Sequence, residues 1–191
     1  MAKHIKQHLQ TNLSRLRMID AESGDLRFVI ETPKGCRNKY RYEPDQNNFG
    51  LTTVLPEGMT FPFDFGFVPS TIAEDGDPVD ILVLMDAPVS PGIVISGRVI
   101  GALIASQKED GEDWKRNDRL LAVATHPRTH DNVRKISNLR ENTLNDSKEF
   151  FVDYNKLRGR KCEVEDECGP TKAMRLIETG SAAFRKKRRK H

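Results

Sequence analysis

The sequence is poor in the features that mark disulfide scaffolds, zinc modules and membrane spans. Its three cysteines, Cys36, Cys162 and Cys168, are odd in number and form no C-x-x-C pair. That argues against a disulfide framework and a structural zinc site, and makes a reducing cytoplasm the expected compartment. No apolar run is long enough to cross a bilayer, and no secretory h-region with a small-residue cleavage site is found near residue 1. No glycine-rich phosphate loop of the P-loop or dinucleotide kind occurs. The histidines, His4, His8, His126, His130 and His191, show no ligand spacing with the cysteines and read as surface or loop residues. Cys36 has no evident base beside it, so a cysteine or serine nucleophile is a weak reading.

What is present is ordinary for a single globular domain: 191 residues, 37% hydrophobic and 31% charged. The net charge of +3 is misleading, because residues 185–190 are six consecutive Arg and Lys. Without them the chain is acidic, so its body is not a basic nucleic-acid footprint and no membrane surface is expected to bind it. The organisation expected is an N-terminal helical extension over 1–24, a catalytic domain over 25–184 and a basic tail over 185–191. Nucleic-acid contacts are expected, if anywhere, only at the tail. In the extension Ile5, Leu9, Leu13 and Leu16 recur at helical spacing among Lys and Arg, with an organelle transit peptide as the minority alternative.

From Leu26 the pattern changes to short strands separated by turns. Strands are expected over 26–31, 39–42, 49–54, 79–85, 93–105 and 120–125, with Phe61, Phe63, Phe65 and Phe67 as alternating aromatics that are mostly core. Gly97 and Gly101 inside the long strand suggest bends or bulges, as at barrel corners. Helices are expected over 142–157 and 170–184, the second opening on Pro170. The sum is an α+β, mainly β fold: a small closed β-barrel with two C-terminal helices packed outside. In the strand 39–42, Lys39 and Arg41 alternate with Tyr40 and Tyr42, which fits either an anion clamp or a half-buried strand whose cations reach solvent.

The chemistry concentrates in Glu74-Asp75-Gly76-Asp77-Pro78-Val79-Asp80, which opens onto Ile81-Leu82-Val83-Leu84-Met85. Gly76 and Pro78 exclude a helix and favour a tight turn, so Asp75, Asp77 and Asp80 converge at the mouth of a strand. Clustered carboxylates either share protons or hold a hard divalent cation, and oxygen ligands suit Mg²⁺, or Mn²⁺, better than zinc. The bland reading, a solvated turn, is outweighed by the strand that follows. An EF-hand is excluded by Val79 and Asp80 at its fifth and sixth positions. An aspartyl-phosphate phosphatase needs a buried parallel strand before its first Asp, which 70–74 does not supply. A second acidic loop, 109–119, again precedes an apolar strand.

Together with Val29-Ile30-Glu31-Thr32-Pro33, Gly66-Phe67-Val68-Pro69, Pro91-Gly92, Gly101, Phe150-Phe151 and Tyr154 in order, the aspartate loop resembles the family I soluble inorganic pyrophosphatases from about residue 28 to 186. The resemblance implies an OB-like five-stranded barrel, several Mg²⁺ ions, hydrolysis of pyrophosphate to two phosphates, and a homo-oligomer. It also implies site roles: Asp77 as the carboxylate that helps deprotonate the attacking water, Asp75, Asp80 and Glu31 as metal-site acids, and Lys39 and Tyr154 as phosphate-binding residues.

The pattern departs from the family elsewhere. Thr53 stands for an expected arginine, Phe65 for a tyrosine, Arg41 for an acid and Asn155 for a lysine. The second acidic loop is longer than usual and admits two registers. Counting back from Leu120 puts Asn117 at a metal-binding aspartate and Arg119 at a lysine; counting forward from Gly111 puts Asp113 and Lys115 there, with Asp118 a third metal candidate. Arg41 and Arg119 join the expected substrate clamp. Three functions follow: a divergent Mg²⁺-dependent pyrophosphatase, a related phosphoanhydride hydrolase with another preferred substrate, or a catalytically weak phosphate- or partner-binding relative. The intact aspartate triad argues against the third.

Overall fold

The computed structural model describes residues 12–125 and 128–189. The expected helical residues Ile5 and Leu9, the histidines His4, His8, His126 and His191, and Lys190 lie outside them. The strands are β1 (Leu26–Thr32), β2 (Asn38–Glu43), β3 (Asn48–Val54), β4 (Asp64–Phe67), β5 (Asp80–Leu84), β6 (Val94–Glu109), β7 (Lys115–Arg116), β8 (Arg119–Ala124) and β9 (Arg160–Cys168). Helix α1 (Glu141–Leu157) precedes β9, and α2 (Pro170–Arg188) follows it.

Strands β1, β4, β5, β8 and β6 are hydrogen-bonded in that order, and β6 returns to β1 through Leu26 opposite Gly97. Five strands therefore close a ring, as expected for an OB-like fold. Among the described residues only β5 and β8 pair in parallel, with Ile81 opposite Leu120. Strand alternation sends side chains to two faces. Ile81 and Val83 pack with Phe28, Ile30 and the α2 residues Ala173 and Ile177. Leu82 and Leu84 pack with Phe61, Phe65 and the α1 residues Leu144, Phe150, Phe151 and Tyr154. Each helix thus covers one apolar layer.

Two glycines allow the ring to close tightly. A Cβ on Gly66 would lie 2.0 Å from the Val29 carbonyl oxygen, and one on Gly97 would lie 2.3 Å from that of Val123. The bend expected near Gly101 is a register shift between Val99 and Gly101 where β6 pairs β8.

Three differences from the sequence expectation have physical causes. Strand β9 was not expected: its sequence, Arg-Lys-Cys-Glu-Val-Glu-Asp-Glu-Cys, is rich in residues depleted in strands. It forms because β6 runs on to Glu109 and offers it a long antiparallel edge. The N-terminal segment from Asn12 is not an α-helix but a 3-10 turn over Leu13–Arg15, where the Asn12 side chain accepts the Ser14 N–H. Leu13 and Leu16 pack there against a cluster of Val29, Tyr42 and Phe67. Finally, α2 continues through Arg188, so four cations expected in a basic tail beyond the helix stand on its last turn, where the helix dipole favours them.

Asp64 is 1% exposed. Its Oδ1 accepts the Val89 N–H at 3.1 Å, while Oδ2 has no partner among the described residues, and burial pushes its carboxyl upward. The ionised form is penalised in the fold, so this group's contribution to stability is full below the ordinary carboxylate range and is lost as pH rises through the raised value. Asp64→Asn keeps the acceptor and cannot ionise. It is expected to flatten that fall and to be more stable at neutral pH by about 1 kcal/mol in chemical denaturation. A wild-type profile already as flat as the variant's would refute this.

Candidate active site

A cleft of about 480 Å³ opens where β5 and β8 begin, walled by β1, the β2–β3 hairpin, the loop before β5 and α1. The parallel pairing explains its centre. Ile81 faces Leu120, so the residues immediately before them, Asp80 and Arg119, stand side by side. The Arg119 Nη1 lies 2.9 Å from the Asp80 carboxylate. Both loop-then-strand segments of the sequence thus deliver one charge each to the same point.

The aspartate loop is shaped by its own backbone. The Ala73 N–H donates to the Asp77 carbonyl at 2.7 Å, the Gly76 N–H donates to that of Ala73 at 3.1 Å, and Gly76 takes the left-handed φ of 89° that glycine tolerates. The Asp77 N–H donates to Asp75 Oδ1 at 3.1 Å. Asp75, Asp77 and Asp80 all line the cleft. Burial raises the Asp75 carboxyl and pushes that of Asp80 up to about 6, against the lowering pull of Arg119 and Lys39.

Opposite them, Lys39 is buried. Its Nζ donates to Glu31 Oε2 at 3.0 Å and sits 3.7 Å from the centre of the Phe65 ring. Burial lowers its pKa, and the Glu31 carboxylate opposes that shift. Phe65, where a tyrosine hydroxyl is expected, therefore offers a π face to the ammonium. Glu31, expected as a metal-site acid, has both oxygens engaged: Oε1 accepts the Tyr42 N–H at 2.8 Å. Arg41 reaches across to ion-pair with Asp77 at the cleft mouth, both side chains about half exposed. Tyr154 accepts from Arg158 Nη1 at 2.9 Å, and burial raises its hydroxyl pKa.

Of the two registers of the second acidic loop, the one counted back from Leu120 has both its residues in the cleft, whereas of the one counted forward from Gly111 only Lys115 lines it. Asn117 and Arg119 line the cleft and are buried. Asp113 and Asp118, expected as metal ligands, do not line it. Asp113 is exposed in the turn between β6 and β7. Asp118 accepts the Ala105 N–H at 3.1 Å and pairs with Arg116 at 3.0 Å, because strand alternation turns it away from its neighbours 117 and 119. Thr52, not Thr53, faces the cleft, and buried Asn155 donates to the Phe151 carbonyl of its own helix at 2.9 Å. The sequence reading missed Arg158; its spacing of four from Tyr154 on one helix face was the available signal.

A hard divalent cation fits the donor chemistry here, since Asp75 and Asp80 supply only oxygen. A ready-made cage is absent: among the described residues no group of three His, Cys, Asp or Glu is placed to hold a metal.

Comparison with known proteins identifies the family. The family described as "Inorganic pyrophosphatase" matches residues 28–185. The inorganic pyrophosphatase of Synechocystis sp. is 38% identical over 143 residues, 75% of this chain and 82% of its own. That of Thermus thermophilus is 36% identical over 150 residues, 78% and 83%. The crystal structure of inorganic pyrophosphatase from Thermus thermophilus superposes with a TM-score of 0.83 at 32% identity, covering 92% of this chain and 99% of that one. That from Helicobacter pylori gives 0.78 at 29%, covering 84% and 94%. With the family match running from the middle of β1 almost to the end of α2, so that it spans every element lining the cleft, the chain belongs to the inorganic pyrophosphatase family.

Proposed function

We infer that this chain hydrolyses inorganic pyrophosphate to two phosphates, with Mg²⁺ as its metal and Mn²⁺ as a substitute. The observation that carries the reading is the gathering of both charge signs in one cleft: the carboxylates of the aspartate loop, the buried Lys39 opposite them and Arg119 beside Asp80. Pyrophosphate is a polyanion, so cations must neutralise it while a water attacks one phosphorus in line and the other phosphate leaves. Lys39 and Arg119 serve as the inner clamp, with Arg41 and Tyr154 at its edges. Asp77, half exposed at the mouth, takes the proton of the attacking water. Asp75 and Asp80 would hold the divalent ion, which supplies charge neutralisation and lowers the pKa of bound water. Glu31 acts through Lys39, whose ammonium it positions.

Residues 25–184 form the catalytic body in this reading, and the chain works as a cytoplasmic homo-oligomer. No described helix is long and apolar enough to cross a membrane. The second reading, another phosphoanhydride as preferred substrate, is favoured by the replacement of two expected cations by Thr53 and Asn155. Phosphate release from pyrophosphate, tripolyphosphate and nucleoside triphosphates, with and without Mg²⁺, separates the two. The expected result is a preference for pyrophosphate of at least about tenfold, equivalent to about 1.4 kcal/mol of transition-state discrimination, abolished by chelation. A preference for tripolyphosphate or nucleotides would replace the first reading by the second.

A further inference from the structure

Along the body of the chain, cations meet the protein's own carboxylates: Arg27 pairs with Asp20 at 2.6 Å, Lys115 with Glu112 at 2.7 Å and Lys148 with Glu167 at 2.8 Å. The end of α2 is different. Arg185, Lys186, Lys187, Arg188 and Arg189 are all exposed, and none of them has an ion pair among the described residues. No acidic residue follows Glu178 in the sequence. Like charges three and four apart on a helix repel, and Arg185 stands in that relation to Arg188 and Arg189, as Lys186 does to Arg189. The helix dipole offsets part of this repulsion; an external polyanion relieves the rest.

The position of these cations lets such a partner reach them. As far as Gly180 the helix is pressed onto the body: the Ile72 N–H donates to the Gly180 carbonyl at 3.0 Å, and a Cβ on Gly180 would lie 2.8 Å from Val79 Cγ2. Ser181 is the last buried residue; beyond it Ala182 and Ala183 are exposed with the five cations, and Phe184 is half-buried. Ala182, Arg185, Lys186 and Arg189 recur at the spacing of one helix face and border one hollow on it. No residue of α2 lines the cleft, so a partner on this face does not compete with substrate.

We propose that the exposed face of the last two turns of α2 is a docking surface for nucleic acid, which it holds through the phosphodiester backbone regardless of base sequence. Arginine supplies three of the five cations, and its guanidinium matches phosphate oxygens in pairs. Ala182 is the one uncharged residue of the face, which leaves no amide for adenine and no ring for base stacking. An anionic membrane fits less well. A helix lying on a bilayer sets large apolar side chains opposite its basic face, whereas the consecutive cations here go round the whole turn. Pyrophosphate is the leaving group whenever a nucleoside triphosphate is joined to a growing nucleic-acid chain, so docking places the cleft where such a polymerisation releases its substrate. Only that benefit rests on the function proposed above; the docking does not.

Fluorescence anisotropy of a short labelled DNA duplex titrated with the full chain tests the surface. Wild type is expected to bind two duplexes of shuffled sequence equally, its affinity falling with salt at a log–log slope of about −3 to −4, close to 0.9 per phosphate met. The triple variant Arg185→Gln, Lys186→Gln, Arg189→Gln is expected to bind at least about tenfold more weakly and with a shallower slope, at unchanged melting temperature and pyrophosphate hydrolysis. The control Lys172→Gln with Arg175→Gln, two exposed cations nearer the start of the same helix, is expected to bind as wild type does. Absence of binding at low salt, a triple variant equal to wild type, or a control that loses as much as the triple variant overturns the proposal. So does a preference for one shuffled sequence, or tighter binding to phosphatidylserine vesicles than to DNA, which would make the face a membrane contact. Failure of wild type to hydrolyse pyrophosphate, with DNA binding as expected, would refute the function proposed above and leave this surface standing.

Discussion

Asp77→Asn is expected to lower turnover roughly 10²–10⁴-fold, the usual worth of general base catalysis, while leaving the fold and divalent-ion binding close to wild type. The separation follows from how the residue is held. The aspartate loop depends on Asp77 through its backbone, whose carbonyl accepts the Ala73 N–H and whose N–H donates to Asp75, and the substitution leaves both in place. The side chain contributes an ion pair with Arg41 in which both partners are about half exposed; pairs of that kind are worth about 0–1 kcal/mol. Stability therefore changes little, and the asparagine keeps the shape of the carboxylate without its basicity. The checks are single-turnover phosphate release from pyrophosphate beside a thermal melt with and without Mg²⁺. A variant that retains full Mg²⁺-dependent turnover would strip Asp77 of its role and leave the cleft's chemistry to another group.

The parts of this molecule that were legible in its sequence are those set by local pattern. The apolar runs of β1, β5 and β8 and the turn chemistry of 74–80 each depend on a few adjacent residues, and each stands where it was expected. Pairing between distant segments was not legible in the same way. The second acidic loop matched two registers equally well on residue types alone. In three dimensions the parallel pairing of β5 with β8 brings Arg119 beside Asp80, while the short β6–β7 hairpin, Ser106 opposite Arg116 and Gln107 opposite Lys115, leaves Asp113 exposed in its turn. Strand β9 was hidden for a related reason: its acidic alternation reads as a loop until the long edge of β6 is there to receive it. The exchange of Arg41 for an acid looked like a damaged clamp, yet in three dimensions Arg41 meets Asp77 across the mouth. Phe65 likewise read as a lost hydroxyl and is the floor beneath the Lys39 ammonium.

Lys39→Ala is expected to weaken both stability and activity, and the two losses can be pulled apart. Lys39 and Glu31 are a buried pair, their side chains 11% and 10% exposed, so deleting the ammonium leaves the Glu31 carboxylate in a desolvated place with only the Tyr42 N–H to answer it. Breaking such a pair from one side costs about 3–5 kcal/mol, and loss of the contact with the Phe65 ring adds about 0.5–2 kcal/mol. Because the same ammonium faces the substrate cleft, pyrophosphate hydrolysis should fall in kcat/KM by at least about tenfold, through KM as well as kcat. The double variant Glu31→Gln with Lys39→Met removes both charges and fills the volume. Replacing a buried ion pair by neutral groups of similar size is often neutral for stability, so the double variant should recover most of the melting temperature and none of the turnover. Recovery of turnover in the double variant would mean that the cleft does not need the Lys39 charge for its substrate. An unchanged melting temperature in Lys39→Ala would mean that Glu31 finds another partner when the lysine is gone, and the pair would then be a clamp for the ligand alone.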